Sequence, residues 1–220
     1  LIVSESNIVR GNIIAKTSAR PFPDHAMSLE AHVFQGRRQN CVNNAVYNNV
    51  IYKAGKEAVF VTQRQDCKVT QNKLVNNIIY HNRVAGPGDK WIPRGNHYLV
   101  FETYHASAGN KWPAFANKNV FHHNVMLHAD QNGDHPGEDP FIYYGQEEWG
   151  HSLAWVEARY PATFHRNIER NPLFVDADGG DFRLKPGSPA IDAGDFLTKA
   201  VASGSNATAI RVQDSSYFCD

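Results

Sequence analysis

Side chains that can remove a proton or neutralise an acid recur in three strand-like segments of this chain. The segments carry His32, Arg64, and the adjacent Tyr104 and His105. An arginine neutralises a carboxylate, and a histidine or tyrosine can act as the general base for a proton on the neighbouring carbon. These four residues are therefore candidate catalytic residues for proton abstraction beside a carboxylate. The alternative is a solvated sheet face of mixed charge.

Two glutamates on the same segments offer a different chemistry, which is hydrolysis. Glu30 and Glu102 would lie ~9–10 Å apart if neighbouring strands stack at ~4.8 Å. Inverting glycosidases place two carboxylates roughly 6.5–9.5 Å apart. We count Glu102 among the candidate catalytic residues and Glu30 among the candidate substrate-binding residues.

An acidic turn is the candidate metal site. Asp130, Asn132 and Asp134 alternate with other residues, and a glycine lies between the last two. Oxygen ligands at alternate positions with a glycine for the turn resemble the start of a calcium loop. The twelfth position, which is a bidentate glutamate in an EF-hand, is Phe141 here. We predict Ca²⁺ bound by Asp130, Asn132, Asp134 and Asp139, with an ordinary polar turn as the alternative.

The chain has 11 histidines, and two of them are adjacent, His122 and His123. Successive residues of a strand point to opposite faces. This segment is predicted to be a strand, so we expect the two imidazoles to point to opposite faces, where they cannot readily share a metal ion.

A repeated asparagine pattern indicates the elements that would position these residues. Four times, an asparagine is followed five residues later by a second asparagine and then by two apolar residues. The pairs are Asn7 and Asn12, Asn44 and Asn49, Asn72 and Asn77, and Asn119 and Asn124. Asparagine tolerates the left-handed backbone conformation, and its side chain can hydrogen-bond equivalents stacked above and below. Repetition of a short strand–turn–strand unit is typical of a solenoid.

The interval of 28 residues between Asn49 and Asn77 aligns two of the repeats and sets Ala31 opposite Val59. Each repeat then contains three short strands with alternating apolar residues. The predicted strands lie near 29–34 and 58–63, near 41–47 and 68–75, and at 50–52 and 78–80. Strands that pair with their counterparts in the next repeat predict an all-β fold, a parallel β-helix with an asparagine ladder.

Two long insertions interrupt the repeats, at 86–112 and 128–161. Long excursions from a regular scaffold are commonly binding loops. The second insertion contains a predicted helix over 152–159, with Ser152 as its N-cap and Pro161 beyond its end.

Composition excludes several classes of function. The 220 residues carry 22 basic and 22 acidic side chains, so no global basic field predicts a nucleic-acid partner. No apolar stretch reaches the roughly 20 residues of a membrane-spanning helix, and membrane insertion is not expected. Cys41 and Cys67 form no metal-binding spacing. Their offset also differs from the repeat, which favours two buried thiols over a disulfide.

The segment 171–194 carries a resemblance to a known family. It reads Asn-Pro-Leu-Phe-Val-Asp, then Gly-Asp-Phe-Arg-Leu-Lys-Pro-Gly-Ser-Pro-Ala-Ile-Asp-Ala-Gly. It resembles the closing segment of right-handed parallel β-helix repeat proteins of the pectate-lyase-like superfamily. With the repeats, the likeness covers 1–195, and 196–220 resembles the start of a C-terminal extension. The resemblance implies a right-handed single-stranded β-helix in a secreted or cell-surface protein, with polysaccharide as its partner.

Relatives of this kind commonly cleave acidic polysaccharides by β-elimination or hydrolysis, with catalytic groups on the outer face of the first strand of each coil. The resemblance therefore predicts an uronate lyase. Residues placed to contact the sugar are Glu30, Trp91, Arg94, Trp112 and Tyr143, although the aromatic ones also suit packing of the insertions. The rival hypothesis is a non-catalytic structural or adhesive β-helix. An open N-terminal end, to be covered by further coils or by a second copy of the chain, favours this rival.

Overall fold

Short parallel strands follow one another through three sheets in the computed structural model. The structure describes residues 2, 5–17, 25–54, 57–64, 67–80, 100–105, 118–127, 129–130, 133–134, 142–144, 151–202, 205, 209–215 and 217. In this part of the chain the structure is mostly β and contains a single helix.

Sheet 1 has five strands, and all of its neighbouring strands are parallel. In spatial order they are β1 (Ile8–Arg10), β6 (Ala45–Tyr47), β10 (Lys73–Val75), β13 (Val120–His122) and β18 (Phe164–His165). Sheet 2 has four parallel strands. They are β2 (Ile13–Ala15), β7 (Val50–Tyr52), β11 (Ile78–Tyr80) and β14 (Val125–Leu127).

Sheet 3 carries the segments with the candidate catalytic residues. Its order is β17 (Ile142–Tyr144), β12 (Val100–His105), β8 (Val59–Arg64), β3 (Met27–Phe34) and β4 (Arg37–Gln39). The first four strands are parallel, and β4 folds back antiparallel to β3. Three two-stranded pairs complete the set: β5 (Cys41–Val42) with β9 (Val69–Thr70), β15 (Ala129–Asp130) with β16 (Gly133–Asp134), and β19 (Phe174–Asp176) with β20 (Asp181–Leu184).

The chain visits sheets 1, 2 and 3 in rotation, and each visit adds a strand beside the previous one. Apolar side chains from all three sheets meet between them, including Leu29, Val46, Ile51, Leu74 and Phe121, which are almost fully buried. Burial of such a side chain contributes about 1.5–3 kcal/mol each. Rotation with parallel pairing is the pattern expected of a β-helix.

Two rows of asparagine side chains cross the turns of this stack. In one row Asn12, Asn49, Asn77, Asn124 and Asn167 follow one another. The side-chain oxygen of each later member accepts a bond from the backbone N–H and one from the Nδ2 of its predecessor, at 2.9–3.1 Å. The second row joins Asn7, Asn44, Asn72 and Asn119 in the same way. The predicted asparagine ladder is confirmed.

The left-handed backbone belongs to a different residue from the one the sequence suggested. Positive φ angles occur at Gly11, Asn48, Asn76, His123 and Arg166, with φ from 52° to 65°. Each of these residues immediately precedes an asparagine of the first row. A left-handed residue turns the chain between two strands, and the following ladder asparagine then faces the interior.

The predicted helix is confirmed as α1 (Leu153–Arg159). Ser152 is its N-cap, and the Ser152 hydroxyl accepts a hydrogen bond from the Trp155 N–H at 3.3 Å. Cys41 and Cys67 are both buried, and no disulfide joins them, as expected. No helix in the described ranges is long and apolar enough to cross a membrane.

One predicted register is wrong. Met27, not Ala31, pairs with Val59, and Ala31 pairs with Gln63. The offset in sheet 3 is therefore 32 residues, whereas Cys41 pairs with Val69 at the predicted 28. The β4 hairpin lengthens the first repeat between β3 and β5. Because the shift is an even number of residues, the same side chains still face inward.

Candidate functional site

The register of sheet 3 brings two of the predicted catalytic residues side by side. Arg64 and His105 are paired at the ends of β8 and β12. His32 follows Ala31, whose partner is Gln63, the residue before Arg64. Neighbouring strands lie ~4.8 Å apart, so His32, Arg64 and His105 occupy one end of three adjacent strands.

Residues that are paired across the neighbouring strands of sheet 3 form a column, and Glu30 and Glu102 lie in different columns. Glu30 pairs with Thr62, which in turn pairs with Thr103. Glu102 pairs with Val61, in the column of the fully buried Leu29. The register therefore does not align Glu30 and Glu102.

Tyr104 and His105 differ in register as well. Tyr104 pairs with Gln63 in the column of Ala31, which is 0% exposed. His105, one residue on, shares its column with Arg64. Of the two alternatives for a base, His105 is the one that adjoins the arginine.

The outer face of β3 is partly exposed and apolar at its end. His32 is half-buried and meets the Phe34 ring edge-on, with 6.4 Å between ring centres. Phe34 is 54% exposed. Arg37, also exposed, lies opposite Phe34 on β4. Sequence reasoning missed this arginine because the hairpin turns at Gln35-Gly36, with φ of 50° and 74°, and Gln-Gly is not one of the strong hairpin signals such as Asn-Gly.

At the other end of this face, a histidine and a glutamate form a buried contact. His25 Nδ1 lies 2.6 Å from Glu57 Oε2. The His25 ring stacks on Phe60, with centroids 4.1 Å apart and planes 5° apart. Next to Phe60, Thr62 has a buried hydroxyl without a hydrogen-bond partner among the described residues. The spacing of residues in the sequence did not indicate any of these contacts.

Several predicted site residues are described only in part or not at all. Trp91, Arg94, Trp112, Asn132 and Asp139 lie outside the described residues. For Tyr143 the structure gives a backbone pairing with Phe101. For Asp130 and Asp134 it gives the β15–β16 hairpin, in which Asp130 pairs with Gly133 and Ala129 with Asp134. Calcium binding there stays a prediction.

The prediction that His122 and His123 point to opposite faces is wrong. The strand ends at His122, and His123 adopts φ 52°, so the alternation of a strand does not apply to it. The two Nδ1 atoms lie 2.8 Å apart. The His122 ring also stacks on His165 of the next strand, with centroids 4.9 Å apart and planes 11° apart.

This histidine cluster carries shifted pKa values. Burial, together with the neighbouring His165 and His123, lowers the pKa of His122 to about 4. Burial also lowers the pKa of His123, although Asp195 partly opposes the shift. Both imidazoles are therefore neutral near pH 7, and each keeps one nitrogen lone pair for a hydrogen bond or a ligand.

Comparison of the chain with protein-family models, with curated proteins and with solved structures finds no match. The function is therefore inferred from the geometry of the chain itself.

Proposed function

We propose that this chain is a right-handed parallel β-helix of the pectate-lyase-like kind. The rotation of the chain through three parallel sheets and the two asparagine ladders support this assignment. Handedness and family rest on the resemblance of 171–194. The proposed protein is secreted or displayed at a cell surface.

We infer that the outer face of sheet 3 cleaves an acidic polysaccharide by β-elimination. The observation that carries the inference is the pairing of Arg64 with His105, next to the strand end that bears His32. A base and an arginine on adjacent strands are what removal of a proton beside a carboxylate requires.

The proposed roles follow from that chemistry. Arg64 neutralises the uronate carboxylate, which makes the proton on the adjacent carbon more acidic. His105, the histidine that is paired with Arg64, takes this proton. The electron pair then forms a carbon–carbon double bond as the glycosidic bond to the leaving oxygen breaks. The leaving oxygen takes up the proton from the protonated histidine, directly or through water, which returns the histidine to its neutral form. The products are one unsaturated sugar end and one free hydroxyl.

The experiment is to incubate the protein with a panel of uronate polymers, with and without calcium, and follow the far-ultraviolet absorbance of unsaturated ends. Arg64→Ala and His105→Ala should each lower the rate by at least about 100-fold. Arg183→Ala and His151→Ala are matched controls, because both residues lie outside sheet 3. No product from any polymer would count against a lyase, and full activity in both site variants would overturn the assignment.

A non-catalytic structural or adhesive role is the second candidate, and one observation favours it. His25 stacks on Phe60 and so covers part of the face on which a substrate would lie. A polymer that binds but yields no unsaturated product, with binding unchanged by Arg64→Ala, would support this second role.

A further inference from the structure

A third residue joins the adjacent histidines from a distant part of the chain. Asp195 Oδ2 lies 3.9 Å from His123 Nδ1. One donor atom from each of His122, His123 and Asp195 lies within 4.8 Å of the other two. We propose that His122, His123 and Asp195 bind one divalent first-row transition-metal ion. This site is separate from sheet 3 and does not rest on the proposed lyase activity.

The backbone holds Asp195 in place through an asparagine. The Asp195 N–H donates to Asn76 Oδ1 at 2.9 Å, and Asn76 Nδ2 donates to the Asp195 carbonyl at 2.8 Å. A Cβ on Gly194 would lie only 3.1–3.2 Å from the Asn76 side chain, so glycine permits this close approach. Asn76 and His123 occupy equivalent left-handed positions of neighbouring repeats. The carboxylate is thereby positioned beside the imidazoles.

The carboxylate is also oriented. Its Oδ1 accepts a hydrogen bond from the Phe196 N–H at 2.8 Å, which leaves Oδ2 as the oxygen nearer His123. The arrangement therefore brings two nitrogens and one carboxylate oxygen within reach of one ion, which would replace the hydrogen bond between the two Nδ1 atoms.

The distances suit a metal with bonds of ~2.0–2.2 Å. Two such bonds span up to about 4.4 Å, which covers the 3.9 Å between Asp195 and His123. The 2.8 Å between the Nδ1 atoms corresponds to an angle of about 85° at the ion. The 3.9 Å between Asp195 and His123 corresponds to about 135° at the ion. Neither angle is that of a regular tetrahedron, so a distorted coordination geometry is expected.

The donor types select the class of cation. Imidazole nitrogen suits zinc, copper, nickel and iron, whereas calcium and magnesium require oxygen ligands. Lys73 and Arg166 add nearby positive charge, which acts on His122 and His123 respectively. Lys73 is itself paired with Asp214 at 3.2 Å. This positive charge opposes every cation, so binding depends on the strong bonds that transition metals form with imidazole nitrogen.

His165 supplies an independent observation. Its Nδ1 is buried and has no hydrogen-bond partner among the described residues, although its ring lies parallel to that of His122. Buried polar atoms are normally hydrogen-bonded. Water bound to the ion at a position left open by the three protein ligands would give this nitrogen a partner.

The ion would join the start of the C-terminal segment to the strand stack. Beyond Asp195, residues of that segment cover the outer face of sheet 1, where Tyr217 and Leu197 pack with Ala45, Tyr47 and Val75. A bond from Asp195 to the end of β13 would fix one end of this cover.

The test uses tag-free protein treated with a chelator and then dialysed. Addition of Zn²⁺, Cu²⁺ or Ni²⁺ should raise Tm by about 5 °C at saturating ion, and titration calorimetry should give one equivalent. Ca²⁺ and Mg²⁺ should leave Tm unchanged. The Cu²⁺ form should show nitrogen hyperfine splitting in its electron paramagnetic resonance spectrum.

His123→Asn and Asp195→Asn should each weaken binding at least about tenfold. His151→Asn, which changes a histidine outside the cluster, should not. Asp195→Asn keeps the shape of the side chain and so separates lost ligation from misfolding. No saturable binding by the wild type would overturn the proposal, and so would equal binding by the wild type and both cluster variants, or an equal response to Ca²⁺.

Discussion

The asparagine rows and the outer face of sheet 1 are built on the same strands but differ in how their contacts repeat. Each rung of a row makes the same pair of hydrogen bonds to the next. On the outer face the contacts differ from strand to strand: Tyr47 contacts Tyr217, and Lys73 contacts Asp214. The repeated contacts set the register, and the individual contacts distinguish one repeat from another.

This difference implies that a substitution in a row costs more stability than a substitution on the outer face of sheet 1. A change inside a row breaks bonds to two neighbouring repeats. A change on an outer face breaks one contact, usually with a segment close to the C-terminus. The four predictions below test this ranking.

The largest loss is expected from Asn77→Ala. Asn77 is 2% exposed, and its Oδ1 accepts from both the backbone N–H and the Nδ2 of Asn49. Truncation leaves these buried donors without an acceptor, which costs about 3–5 kcal/mol. Urea unfolding measures the loss. The matched change Asn12→Ala, at the exposed end of the row, should cost less than about 1 kcal/mol, and equal losses would contradict the ranking.

Acid should destabilise the protein through His122. The pKa of His122 is about 4 in the folded protein and ordinarily 6.5. The neutral imidazole therefore makes its full contribution to the stability of the fold above pH 6.5. Between pH 6.5 and 4 the unfolded chain binds a proton that the folded chain does not, and the contribution is lost as pH falls. The groups around it are His165, His123, Asp195 and Lys73.

Because His122 is only half-buried, the loss should be about 2 kcal/mol at most. Urea midpoints of the wild type and of His122→Asn, measured from pH 8 to pH 4 with chelator present, give the difference. The variant should show a shallower fall over this interval. Parallel curves would show that the imidazole does not titrate as stated.

A smaller loss of stability is expected at Asn167, where the first asparagine row meets α1. Glu157 Oε1 accepts from the Asn167 N–H at 2.8 Å and from its Nδ2 at 2.9 Å. Glu157→Ala removes this acceptor and should cost about 1–2 kcal/mol. Glu157→Gln keeps an oxygen there and should restore at least half of the loss in thermal unfolding. If Glu157→Gln is as destabilising as Glu157→Ala, the loss of stability is not caused by removal of the hydrogen-bond acceptor.

The smallest loss is expected on the outer face of sheet 1. The Tyr47 hydroxyl donates to the Tyr217 carbonyl at 2.7 Å, a buried contact, and Tyr47→Phe should cost about 1 kcal/mol. Tyr52→Phe is the matched control, since its hydroxyl donates to the exposed Asp178. Its cost should be near 0–0.5 kcal/mol. The reverse order in urea unfolding would contradict the ranking.

The repeating part of the fold could be predicted because its signal is local. The spacing of Asn49 and Asn77 indicated their hydrogen bond directly, and Ser152 indicated the start of α1. The register of sheet 3 could not be predicted, because the β4 hairpin adds residues to one repeat only. An alignment of the repeats on their asparagines is therefore wrong by four residues at Ala31, which pairs with Gln63 and not with Val59.

One part of the histidine cluster, the turn at His123, could be predicted from the sequence, although the spacing of the asparagines alone did not indicate it. Gly11, Asn48 and Asn76 precede ladder asparagines and are residue types that tolerate positive φ. His123 occupies the equivalent position, so the turn conformation could be predicted for it. The position of Asp195 beside His123 could not be predicted, because Asp195 is held by Asn76, which is 119 residues away in the sequence. Contacts at that distance depend on the whole path of the chain.

Glu157 gives the asparagine row a direction. Each asparagine of the row donates one Nδ2 hydrogen toward the Asn167 end, and from Asn49 onward its oxygen accepts from the Asn12 side. The second Nδ2 hydrogen goes to a backbone carbonyl, so the bonds that join successive amides all run in one direction, as peptide hydrogen bonds do along a helix. Asn167 is the electropositive end, and a carboxylate lies against it. The opposite end presents an oxygen, so two copies placed end to end about a two-fold axis would bring oxygen against oxygen. Any segment that continues the row at Asn12 must bring hydrogen-bond donors.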